Sequence, residues 1–157
     1  MPSSSGRVVV ADTACLIGLA NIDRIDILRQ MYGTVVVTPE VAEEYGCPLP
    51  EWVTVQAALD SNKTSAYSNF LGAGEASSIS LATQTANTLL IIDDKRARRL
   101  ALDLGLEITG TLGLLVLAYK NGIIQDPDSV VASLREIGFR LPGNAESLVK
   151  ALLFPAV

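Results

Sequence analysis

The chain has 157 residues, 49% of them hydrophobic, no histidine and a net charge of −5. That length and apolar content fit one domain with a sizeable core, made mainly of Val, Leu, Ile and Ala because aromatics are only 5%. The missing histidine excludes Ser-His-Asp and Cys-His catalysis, histidine-based RNA cleavage and His-ligated zinc. The acidic balance argues against a broad nucleic-acid-binding surface, though not against a local basic rim.

From the amino end, Met1 to Gly6 is small and polar, without the apolar stretch of a signal peptide, and reads as a disordered leader. Arg7 to Ala11 is a β-branched apolar run, the first strand, and Asp12 follows it. Thr13 is positioned to cap a helix through Leu16, Ile17, Leu19 and Ala20. Asp23 then starts a second helix that Gly33 stops. Thr34 to Val37 reads as a strand, and Thr38-Pro39 as the cap and first residue of a helix carrying Glu40, Glu43 and Glu44. After the breaker Gly46-Cys47-Pro48-Leu49-Pro50 comes a short strand, Trp52 to Gln56, and a polar, weakly patterned stretch, Ser61 to Leu71, read as helical.

Gly74-Glu75 opens the next helix, with Ala76, Ile79, Ser80, Leu81 and Ala82 at helical spacing. Thr88 to Ile92 is a fourth strand, and Asp93 caps a basic helix that ends at Gly105. Leu106 to Thr109 makes a fifth short strand, before a helix from Thr111 to Lys120. Two further helical stretches, Asp126–Ile137 and Asn144–Leu153, complete the chain. Strands alternating with helices imply an α/β fold: three layers, α/β/α, around a parallel sheet of four to five strands. Residues 7–157 read as a single unit, with 126–153 packing on it or forming an interface.

Mean hydropathy is +0.36, yet the longest apolar run, Leu112 to Tyr119, is broken by Gly113 and falls far short of the ~18 residues of a membrane span. Strands covered by helices on both faces account for that value. Cys15 and Cys47 form no C-x-x-C pair and read as reduced, partly buried small hydrophobes, consistent with a cytoplasmic protein.

Acids close several of these strands or open the helices after them. Asp12, Glu44, Glu75 and the pair Asp93-Asp94 therefore converge at the carboxyl ends of the strands, where open α/β sheets build their sites. Each has a structural reading too: Asp12 as a helix cap, Glu75 as a first-turn acid favoured by the helix dipole, and one of Asp93 and Asp94 as a cap. Glu44 lies beside the buried stripe of Val41 and Tyr45, whereas Glu43 is solvated. Crowded carboxylates resist ionising unless a cation joins them, and oxygen-only ligands suit Mg²⁺ or Mn²⁺. Lys95, Arg96, Arg98 and Arg99 form the one dense basic cluster, a solvated face or a phosphate-contacting rim.

The ordered set Val8-Val9-Val10-Ala11-Asp12-Thr13, Thr38 to Glu44, Gly74-Glu75-Ala76, Ile91-Ile92-Asp93-Asp94-Lys95-Arg96 and Gly110-Thr111-Leu112-Gly113 resembles the PIN-domain nucleases, in particular the compact prokaryotic branch of toxin ribonucleases. The resemblance implies Mg²⁺ or Mn²⁺ as cofactor, RNA as substrate, a cognate antitoxin as partner and a homodimer. Carried over residue by residue, it makes Asp12, Glu44, Glu75 and Asp94 the catalytic acids, with Asp93 as neighbour or substitute. Asp12, Glu75, Asp94 and Asp93 would be the metal ligands, with Glu44 orienting or deprotonating a water. Thr13, Lys95, Arg96, Arg98 and Arg99 would face substrate. Where many relatives carry Ser or Thr two residues before the last acid, this chain has Ile92. Aspartate-nucleophile phosphatases need a second carboxylate where Ala14 stands, and phosphorelay receivers need their acidic pair after the first strand. Both fit poorly. The remaining alternative is a non-catalytic PIN-like module that binds proteins.

Overall fold

The structure is a computed structural model that describes residues 6–154. The elements run β1 (Val8–Ala11), α1 (Thr13–Asn21), α2 (Asp26–Tyr32), β2 (Val35–Val37), α3 (Pro39–Tyr45), β3 (Val53–Val55), α4 (Ser61–Ser68) and α5 (Ala73–Gln84). They continue with β4 (Thr88–Ile91), α6 (Lys95–Asp103), β5 (Glu107–Thr109), α7 (Thr111–Lys120), α8 (Pro127–Glu136) and α9 (Ala145–Leu153). The expected leader lies almost wholly outside the described residues.

All strand pairs are parallel, in the order β3-β2-β1-β4-β5. The register pairs Val10 with Val36 on one side of β1 and with Leu90 on the other. The chain builds outward from β1 to β2 and β3, then returns to the other side for β4 and β5. The reversal leaves a crevice between the ends of β1 and β4, the switch point where such sheets bind ligands.

Successive strand residues point to opposite faces, and two apolar clusters form accordingly. Val9, Ala11, Val35, Val37, Leu89 and Ile91 pack with α1, α2, α7, α8 and α9. Val10, Leu90 and Ile92 pack with α5 and α6, through Ala76, Ile79, Ala97 and Ala101. Both faces are covered, which is why the strands are continuously apolar rather than alternating. Val130, Val131 and Leu134 of α8 and Val149 of α9 are buried in the first cluster.

Three local expectations change. Asp23 does not start α2: it adopts a left-handed turn, φ 58°, and the helix begins at Asp26. Asp and Asn tolerate this conformation better than most residues, so one residue type can signal either a cap or a turn. The α5 helix begins at Ala73 with Gly72 as its cap, ahead of Gly74. Cys47 is exposed while Cys15 is buried, both as free thiols.

Candidate active site

Asp12 leaves β1 as the N-cap residue of α1, its backbone amide paired to the Ile91 carbonyl at 3.0 Å, which continues the β1–β4 ladder to the crevice. It is 4% exposed, and its side chain makes no capping bond. The capping role expected of Thr13 is therefore not realised. Thr13 is the first helical residue, and its hydroxyl donates to Glu44 Oε1 at 2.5 Å.

Burial pushes the Asp12 carboxyl up to about 7, reinforced by Glu75, Glu44 and Asp93 and opposed by the Thr13 backbone N–H. Burial also raises Glu75, helped by the charges of Asp94 and Glu44, with the Gly72 N–H opposing. That N–H explains part of the placement of Glu75: an acid at the third helical position reaches back to the cap residue. Among the described residues, no Lys or Arg lies within ion-pair distance of any acid on this edge.

Buried hydroxyls pin α3 to α5 and so bring Glu44 towards Glu75. Thr38 Oγ1 accepts from the Val41 N–H at 3.2 Å and meets Ser77 Oγ at 2.7 Å, and Ser77 donates on to the Gly74 carbonyl. Gly74 leaves room for this close approach. A Cβ there would lie 2.1 Å from Glu44 Oε1 and 3.1 Å from Thr13 Oγ1.

Asp93 and Asp94 part company. Asp94, not Asp93, caps α6, accepting from the Ala97 N–H at 2.9 Å. Asp93 turns across the sheet edge and accepts from both donors of Thr111, its N–H at 2.8 Å and its hydroxyl at 2.6 Å. Thr111, absent from the set of candidates, thereby ties the α7 N-terminus to the end of β4. Its sequence signal was a hydroxyl residue opening a helix after a strand. The pair of bonds fits the preference of a helix start for negative charge.

In the basic cluster, Arg98 folds inward and donates to the Ile92 carbonyl at 3.0 Å, a structural commitment. Lys95, Arg96 and Arg99 stay exposed.

Asp12, Glu44, Glu75, Asp93 and Asp94 thus occupy one edge, yet among the described residues no three acids stand close enough to hold an ion as they are placed. The donor chemistry fits a hard divalent cation: oxygen-only side chains, including a nearly buried carboxyl without a cationic partner. An all-parallel sheet between helices, with acids at its switch point, defines an α/β protein with a candidate hydrolytic centre. A family model described as PIN domain matches residues 8–153, and the chain belongs to that family. PIN domains are generally nucleases and typically use divalent metals. Neither the curated proteins nor the solved structures gave a match.

Proposed function

We propose that the protein is a cytoplasmic, Mg²⁺- or Mn²⁺-dependent endoribonuclease, the toxin of a toxin–antitoxin pair, acting as a homodimer. The observation that carries this reading is Asp12, an acid at the switch point that burial and neighbouring carboxylates hold partly protonated near neutral pH. Such strain is retained at functional sites more often than in scaffolds. Asp12, Glu75 and Asp94, with Asp93 beside them, would hold the ion. Once bound, the ion would supply a water of lowered pKa and offset charge on the scissile phosphate.

Around it the chain's own groups have distinct tasks. Thr13 fixes the rotamer of Glu44 through its hydrogen bond, leaving the second carboxylate oxygen of Glu44 to accept a proton from the attacking water. Asp93, gripped by Thr111, holds the end of β4 against α7 and keeps Asp94 on the edge. No covalent intermediate is required. An antitoxin segment would quench the site by offering an Arg to the unpaired carboxylates.

The non-catalytic alternative draws on one fact: Glu44, Asp93 and Asp94 are each already held by protein donors. Labelled single-stranded RNA, incubated with Mn²⁺ or EDTA beside Asp12→Asn, separates the two. The reading expects cleavage only by the unaltered chain with metal. Cleavage that survives in EDTA or in the variant contradicts it.

A further inference from the structure

One face of α6 continues away from the acidic edge and carries Arg96 and Arg99, two of the cations that the resemblance expects to face substrate. Arg96, Arg99, Leu100 and Asp103, at helical spacing i, i+3, i+4, i+7, line a groove whose other wall is Phe70. Phe70 sits in the connection between α4 and α5, just ahead of the helix that carries Glu75, and it is 50% exposed. The groove is open to solvent and holds about 290 Å³, just below the range for small-ligand sites, which suits one nucleotide unit rather than a large ligand.

Its chemistry is mixed in a particular way. An aromatic side chain and Leu100 supply flat apolar surface. Arg96 and Arg99 supply cations that, among the described residues, no carboxylate within ion-pair distance neutralises. Asp103, one helical turn beyond Arg99, disfavours an anion past that residue, and the opposite end of the groove adjoins Asp94. An exposed aromatic ring beside arginines that track a backbone is the recurrent solution for unpaired nucleic acid, because every base has a π-face to stack. Bases within a duplex are stacked on one another and cannot offer that face.

We infer that the groove between Phe70 and α6 is a subsite for single-stranded RNA, taking one base against Phe70 and the two phosphates that flank it on Arg96 and Arg99. It rests on the ribonuclease reading for its choice of RNA, and it adds a preference for unpaired strands on one side of the acidic centre. Leu100 closes the floor, and Asp103 sets the outer limit.

The test uses the full chain carrying Asp12→Asn in EDTA, so that nothing is cleaved, with a short labelled single-stranded oligoribonucleotide and the same sequence as a duplex. Phe70→Ala should weaken single-strand binding about 5- to 150-fold, the range for losing one stacked base. Phe70→Tyr should restore it, and duplex binding should change less than about twofold. Arg96→Ala with Arg99→Ala should flatten the salt dependence by roughly 1.4 in the log–log slope, two single-strand phosphate contacts. Thermal melting confirms that each variant folds.

Unchanged single-strand affinity in Phe70→Ala overturns the subsite. So does an equal loss for duplex, absence of binding by the parent, or a change only in self-association, which would assign Phe70 to a contact between copies. The two proposals fail separately. Phe70-dependent binding without cleavage by the unaltered chain in Mn²⁺ keeps the subsite and removes the hydrolytic reading. Cleavage by the unaltered chain with Phe70 indifferent does the reverse.

Discussion

In the helices α8 and α9, Glu146 meets Arg135 at 2.9 Å, and Asp126 caps α8 by accepting from the Asp128 and Ser129 N–H groups. At the carboxyl edge of the sheet, Asp12 and Glu75 have a backbone N–H each but no cationic partner, and burial and neighbouring carboxylates push both carboxyls above the usual range. The contrast extends to Asp26, which Arg29 and Gln30 hold below that range. Exposed acids with a cation or amide beside them cost the fold little. Acids buried together without a cation cost stability, and a fold keeps such a cost where something else binds.

The largest effect that would sharpen this contrast is on activity. Asp12→Asn should reduce cleavage by about 10³-fold or more, since it removes several kcal/mol of charge stabilisation; comparison of kcat in Mn²⁺ decides it. The same variant should be more stable than the parent in EDTA at pH 8. The sign follows from the raised carboxyl: the protonated form suits the fold, so its contribution is full below about pH 4 and is lost as pH rises through about 7. The span from 3.8 to about 7 bounds the gain at on the order of 4 kcal/mol. Melting curves of the two proteins should converge near pH 4, and equal stability at pH 8 would break the comparison.

Gly74→Ala comes next. Its Cβ displaces the Glu44 carboxylate, the far end of a flexible side chain, so kcat should drop by about two orders of magnitude, the lower end of what a general base contributes. Its Tm should stay near that of the parent. A large loss of Tm with kcat intact would show that Gly74 serves packing alone. Thr111→Val keeps the volume and one N–H donor but removes the hydroxyl bond to Asp93, and should cost about 1–2 kcal/mol in denaturant unfolding. Smallest of all, Glu146→Gln should leave both Tm and cleavage unchanged within error, as expected of an exposed pair.

The strand–helix order was legible because buried parallel strands are continuously apolar and because Gly33, Pro39, Gly46 and Gly105 punctuate them. Which acids share the edge followed from the same pattern, since each stands at a strand end or in the helix beyond it. What each acid does there was not legible. Asp93 and Asp94 are consecutive in extended chain, so they leave the strand in opposite directions, and only the positions of Ala97 and Thr111 decide which one caps and which one crosses. Thr13 looked like a cap because hydroxyl residues cap helices, but it is already the first helical residue after β1 ends at Ala11, which leaves that place to Asp12. The partner of Thr13, Glu44, is 31 residues away, beyond any local pattern. Arg98 differs from its neighbours only in rotation about α6, which turns it inward onto Ile92.

The most direct measurement is calorimetric titration of the metal-free protein with Mn²⁺ at pH 6.5 in two buffers of different ionisation enthalpy. Uptake at millimolar concentrations or tighter is expected, with heats that differ between the buffers because the partly protonated Asp12 must release its proton when the ion arrives. Asp12→Asn should lose both the uptake and the buffer dependence. An unaltered chain that takes up no Mn²⁺ at about 10 mM, or takes it up equally well as Asp12→Asn, contradicts the account.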